Sequence, residues 1–228
     1  MISKKDEAIN TILSDFEAFA NLLLKQLDLL EKDINSDEKK SSEKCHKEIL
    51  ENEKELDKLE VKISDKIVNT IALYQPVASD IRKLIACYRI IISLERVGDM
   101  VVNILRHTEN VKGTPVFEHL LDVITNMLMQ ASNMVNKALL AFTTDDREFA
   151  IWTIKNDTVV DEINHKMLKK AIKKSSTSKE DKEMLTNFIS MNGMVTNIER
   201  IADHATNIAE AAIYSIEGKD LRHVKKVE

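Results

Sequence analysis

An internal repeat constrains this chain more than any other feature. Residues 94–104 read L-E-R-V-G-D-M-V-V-N-I and residues 198–208 read I-E-R-I-A-D-H-A-T-N-I. Glu95 and Glu199, Arg96 and Arg200, Asp99 and Asp203, and Asn103 and Asn207 are each 104 residues apart. The same offset relates apolar stripes elsewhere. Phe16, Ala20, Leu23, Leu27, Leu30 and Ile34 recur at alternating spacings of four and three, the pattern of a helix with one apolar seam. Their mates 104 residues on are Leu120, Ile124, Met127, Ala131, Met134 and Ala138, all apolar. Leu56, Leu59, Ile63 and Ile67 map likewise onto Val160, Ile163, Met167 and Ala171. The chain reads as two copies of one unit, with no visible insertion between them.

Each copy holds three helical stretches, expected near 4–34, 38–73 and 77–110, then near 115–143, 146–175 and 178–217. Asn35-Ser36-Asp37 is turn-forming, and Gln75-Pro76 ends one helix and lets Pro76 start the next. Lys112-Gly113-Thr114-Pro115 divides the copies: Gly ends a helix, Thr114 caps the next and Pro115 fits its first position. Asp145 with Glu148, and Thr177 with Glu180, read as capping boxes. The expected fold is all-α: two tandem three-helix bundles, residues 1–112 and 113–228. Four Gly, two Pro and 31% charged residues suit such a chain, which needs few turns and exposes Glu and Lys.

Composition also narrows function. No apolar run approaches the roughly 20 residues of a membrane span. The start M-I-S-K-K-D-E lacks the apolar core of a signal peptide. Cys45 and Cys87 do not make a disulfide framework, so a reducing cytoplasm is the expected compartment. A net charge of −5 gives no general reason to bind nucleic acid or anionic lipid, although the tail Arg222, His223, Lys225, Lys226 is basic. The chain has no Gly-rich phosphate loop, nucleophile elbow or H-E-x-x-H motif.

The chemistry lies in the acids. On a wheel of about 100° per residue, Glu95, Asp99 and Asn103 form one ridge beside the apolar arc of the third helix. Glu199, Asp203 and Asn207 repeat it on the last helix. The second helix of each copy offers a matching pair, Glu53 and Asp57, then Asp157 and Asp161. Glu53 and Asp99 lie 23 residues either side of Pro76, and Asp57 and Glu95 lie 19 either side. A helical hairpin about Pro76 therefore brings four carboxylates to one level. Asp157, Asp161, Glu199 and Asp203 have the same symmetry about residue 180. Unpaired carboxylates this close repel until a cation joins them. All-oxygen sets suit hard cations such as Mg²⁺, Mn²⁺, Ca²⁺ or oxidised iron, and bridging carboxylates permit multinuclear sites. The bland alternative is a solvated face: with 38 acids, chance supplies roughly six acid pairs at a spacing of four. Arg96 and Arg200 would then be the salt-bridge partners of nearby acids.

Other residues carry less. Glu43-x-x-His46 and Glu162-x-x-His165 have the ligand spacing of di-iron four-helix proteins, but they are not related by the 104 offset. His165 continues the row of Asp157 and Asp161 and is a candidate extra ligand in the second copy alone. His204 has Met100 as its mate and reads as a surface or packing residue, while Met127, Met129 and Met134 read as core filling.

Together these features resemble the PhoU family of bacterial phosphate-transport regulators. The resemblance rests on E-R-V-G-D-M-V-V-N-I and E-R-I-A-D-H-A-T-N-I, on Y-Q-P-V-A-S-D-I-R at Tyr74 to Arg82, and on Glu53/Asp57 with Asp157/Asp161. It covers essentially the whole chain. It implies tandem three-helix bundles with metal, including multinuclear iron, at Glu53, Asp57, Glu95 and Asp99 and at Asp157, Asp161, Glu199 and Asp203; magnesium, manganese and zinc stay open. It implies a regulator rather than an enzyme, often a homodimer, which holds the phosphate-starvation response off. Its expected partners are the ATPase subunit of a phosphate ABC transporter and a sensor histidine kinase, reached at the inner face of the membrane, with no nucleic acid. The alternative role is an accessory of a sodium- or proton-coupled phosphate transporter. Two departures from the repeat stand out. Asp157 replaces the longer Glu53, which changes its reach, and Ala202 replaces Gly98, a mild difference that still permits close helix approach.

Overall fold

The structure is a computed structural model, and it describes residues 3–36, 39–157 and 181–221. Five long helices and the start of a sixth account for nearly all of it. α1 is Lys4–Ile34, α2 Lys39–Tyr74, α3 Ala78–Val111 and α4 Pro115–Thr143. α5 begins at residue 147 and is described to 157, and α6 is Asp181–Glu217. No described residue lies in a strand.

The boundaries follow local chemistry. Ser3 caps α1, its hydroxyl accepting from Asp6 N at 3.1 Å. Thr114 caps α4 by accepting from Phe117 N at 3.3 Å, with Pro115 opening the helix and Gly113 at φ +79° before it. Two expectations are corrected. Asp146, not Asp145, caps α5, accepting from Glu148 N at 2.8 Å; Asp145 takes φ +52° in the turn and pairs with Lys83 instead. Pro76 does not open α3. Gln75 at φ +44° turns the chain first, and Val77 is the residue before the helix. The Thr177–Glu180 box lies outside the described residues.

Packing obeys the stripes. Phe16, Ala20, Leu23, Leu27, Leu30 and Ile34 are buried, as are Ile124, Met127, Ala131, Met134 and Ala138; Leu120 packs partly buried against them. The two copies share one continuous core. They meet along two helix pairs, α1 with α4 and, more extensively, α3 with α6. Phe16 of α1 meets Phe142 of α4 edge to face at 5.0 Å, and Thr125 donates to Asn35 at 3.0 Å. These two contacts run α1 and α4 antiparallel. α3 and α6 are antiparallel too. Arg82 rests on Gly218 and His107 on Gly193, pairs symmetric about residue 150. A Cβ on Gly193 would collide with the His107 ring, so only glycine lets the helices approach there. Mates in the repeat thus meet their own counterparts, as a pseudo-twofold axis requires.

Candidate metal centre

The α2–α3 hairpin turns at Pro76 and brings the first copy's acids together. Glu53 is the innermost. Its carboxylate lies over Gly98, where a Cβ would stand 2.8 Å from Oε2 and 3.1 Å from Leu56 Cδ1. Oε2 accepts from Gln26 Nε2 at 2.8 Å, whereas Oε1 is buried with no hydrogen bond. Burial pushes the Glu53 carboxyl up to about 7, and the charges of Asp99, Asp57 and Glu95 push the same way against the Gln26 bond. Glu95, half-buried, is raised by burial and then by Asp99, with Arg96 opposing. Asp57 and Asp99 are exposed. Glu53 over Gly98 puts α2 and α3 in the register expected from the hairpin symmetry, with Asp99, Asp57 and Glu95 close enough for their charges to act on Glu53.

Arg96 supplies the bland alternative. Its guanidinium lies 3.5 Å from both Glu95 and Asp99, but the side chain is 57% exposed, so these pairs contribute little. Among the described residues, no group of three or more acidic, histidine or cysteine side chains is arranged to hold an ion as it stands. The residues nevertheless fit a hard cation. The donors are all oxygen, Glu53 keeps an unsatisfied inner oxygen, and Gly98 leaves room for its carboxylate.

The second copy is seen in part. Glu199 is half-buried and Asp203 exposed on α6, and Asp157 is half-buried on α5. Asp161, Glu162 and His165 lie outside the described residues. Glu43 and His46 do not form a di-iron half-site. His46 is held between Asp33 Oδ1, 3.1 Å from Nε2, and Glu109 Oε1, 2.8 Å from Nδ1. The fully buried Asp33 also accepts from the Ser42 hydroxyl, and Lys112 closes the cluster, which knots the ends of α1 and α3 to the start of α2. His204 is a packing residue of the α3–α6 seam. Burial lowers its pKa, with Arg96 and Arg200 adding to the effect.

Two features escaped the sequence reading. Gln26, wholly buried among leucines, orients Glu53. An amide inside an apolar stripe, with Gln130 as its mate 104 residues on, was the available signal. The other is the row Arg82, Arg89, Arg96, seven residues apart along α3 beside α6.

A model of the PhoU domain matches residues 20–108 and again 124–212, the same 104-residue step that relates the acids. The chain belongs to the PhoU family. Among its relatives, a Burkholderia sp. protein described as a phosphate-specific transport system accessory protein PhoU homolog is 33% identical over 77% of this chain and 74% of its own length. A Clostridium acetobutylicum homolog of the same description is 28% identical over 91% and 95%. Crystal structures of PhoU from Pseudomonas aeruginosa and Streptococcus pneumoniae superpose with TM-scores of 0.78 and 0.79. They cover 94% and 95% of this chain and 99% of each of theirs, at 24% and 20% identity. The all-α, twice-repeated architecture is therefore the PhoU fold.

Proposed function

We propose that this chain is a cytoplasmic negative regulator of phosphate uptake and of phosphate-starvation signalling. It acts as a metal-binding adaptor between a phosphate ABC transporter and a sensor histidine kinase, and it is not an enzyme. The family membership supports the phosphate role, since the relatives are described as accessory proteins of the phosphate-specific transport system. Among the described residues no helix is long and apolar enough to cross a membrane, so contact with a transporter goes through protein partners. The observation that carries the metal half is Glu53, a partly buried carboxylate with an unsatisfied oxygen, beside Asp57 on its own helix and Glu95 and Asp99 across the hairpin. Glu53, Asp57, Glu95 and Asp99 would hold a divalent or trivalent ion, iron clusters included, by oxygen coordination. Asp157, Asp161, Glu199 and Asp203 would do so in the second copy. An ion there would neutralise the ridges and rigidify both hairpins for docking, in a homodimer.

Two measurements test this. Elemental analysis of the purified protein should show less bound metal in the D99A/D203A variant; unchanged stoichiometry would leave the acids a solvated face. Pull-down should recover the transporter's ATPase subunit and the kinase under phosphate-replete conditions. Recovery of neither would overturn the adaptor role.

A further inference from the structure

The outer face of the α2–α3 hairpin carries apolar side chains that the fold does not use. On α3, Ile81, Tyr88 and Ile92 are exposed and continue directly into the ridge of Glu95 and Asp99, at steps of seven, four, three and four. On α2, Val61 and Val68 are exposed and continue the ridge of Asp57, at steps of four and seven. Tyr88 is 37% and Ile92 38% exposed, so more than a third of each residue is left in water beside Ile81 on the same ridge. The repeat supplies an internal control. The mates of Tyr88 and Ile92 are Asn192 and Thr196, so the same fold accepts polar residues at both places. The mates of Ile81 and Ile85 are Leu185 and Ile189, so only the first copy extends the apolar strip down to its acids.

Arg82 borders this strip at its hairpin end. It is half-buried, its side chain lies beside Gly218, where an added Cβ would stand 3.4 Å from it, and its Nε is buried with no hydrogen bond. Among the described residues it has no ion pair, unlike Arg89, which stacks on Tyr214 at 4.8 Å and lies 3.6 Å from Asp220. A half-buried guanidinium beside an exposed apolar strip is what a docking carboxylate completes, since charge-assisted bonds in a desolvated setting are the strong ones.

We propose that this face docks an amphipathic helix of a protein partner, apolar along its seam and acidic where it passes Arg82. The proposal rests on the adaptor reading and names the surface the adaptor uses. Ile81 to Asp99 spans about 27 Å of helix, room for about five turns of a partner.

The test uses the full-length chain against the purified transporter ATPase subunit and, separately, the detergent-solubilised kinase, by biolayer interferometry. Y88N/I92T copies the residues of the second copy and should leave helicity and Tm unchanged while weakening at least one partner tenfold or more. R82Q, which removes no apolar surface, should weaken the same partner about tenfold. N192Y/T196I should change neither. Wild-type binding that survives both first-copy changes overturns the surface but not the adaptor. Loss of self-association in sedimentation, with partner affinities unchanged, would assign the face to a second copy of this chain and overturn the proposal. A wild-type chain that binds neither partner overturns the adaptor reading and this surface with it.

Discussion

The burial of Glu53 has a measurable signature. Its carboxyl is raised from the ordinary 4.5 to about 7, first by burial and then by its acidic neighbours. Below about pH 4.5 the group is protonated in both folded and unfolded chains and costs nothing. Between there and pH 7 the unfolded chain ionises while the folded one keeps its proton, so stability falls as pH rises. Above 7 the penalty is complete. A shift of this size corresponds to at most about 3 kcal/mol, and because the group is only partly buried, solvent screening reduces that to roughly 1–2 kcal/mol. Glu53→Gln keeps the shape and an oxygen for Gln26 to bond, but removes the charge. In chelator-treated protein, E53Q should therefore match wild type at pH 4.5 and exceed it at pH 8 by roughly 3–6 °C in Tm. Titrating in a metal ion should then stabilise wild type and leave E53Q behind, because only the carboxylate gains a partner. Calorimetry across pH 4.5–8 reads both effects. A wild-type curve parallel to that of E53Q across this range would refute the buried, uncompensated carboxylate.

Other perturbations probe the same frame. Gly98→Ala gains about 1 kcal/mol of helix propensity but drives a methyl into the Glu53 carboxylate, at a cost of about 1–3 kcal/mol. It should destabilise on balance in urea titrations, and E53D/G98A, which copies the Asp157/Ala202 pair, should recover most of the loss. Asp33→Ala leaves His46 and Lys112 facing an empty buried site and should cost about 3 kcal/mol, read as a lower Tm. Asp99→Ala alone should release more metal than Asp203→Ala alone, measured by elemental analysis, because Asp99 lies beside Glu53, whose inner oxygen is buried without a partner. Equal losses would make the two copies equivalent sites.

The fold was legible because its signal is redundant. Each apolar stripe occurs twice at one offset, so a chance match in one copy is checked by the other. The linker Lys112-Gly113-Thr114-Pro115 combines three independent stop and start preferences, and the chain breaks there. The cap of α5 was misplaced by one residue because Asp145 and Asp146 offer the same chemistry, and only the φ of +52° at Asp145 distinguishes them. The level of the four acids followed from hairpin symmetry alone. Which of them is buried did not, because that depends on Gln26 in a different helix and on the missing Cβ of Gly98. The α3–α6 seam was illegible for a related reason: it takes in Arg82, Arg89 and His107, side chains too polar to read as an interface. At position 193 it is glycine that makes room for the His107 ring of the opposite helix.

The repeat thus keeps one plan while its two sets of acids differ by paired changes. In the first copy a long acid, Glu53, folds over a residue with no side chain, Gly98, and is met by a buried amide, Gln26. In the second, a shorter acid, Asp157, is matched with Ala202, and the mate of the amide, Gln130, is exposed. In the sequence, the length lost at the acid is matched by a methyl gained at the mate of Gly98. Depth sets how strongly a carboxylate demands a cation, since the penalty for an unpaired charge grows as water is removed. The apolar strip of Tyr88 and Ile92 is confined to the same copy as the deep acid. A ligand that neutralises Glu53 would therefore act directly beneath the surface proposed for docking, within one helical hairpin and without any change carried through the α3–α6 seam.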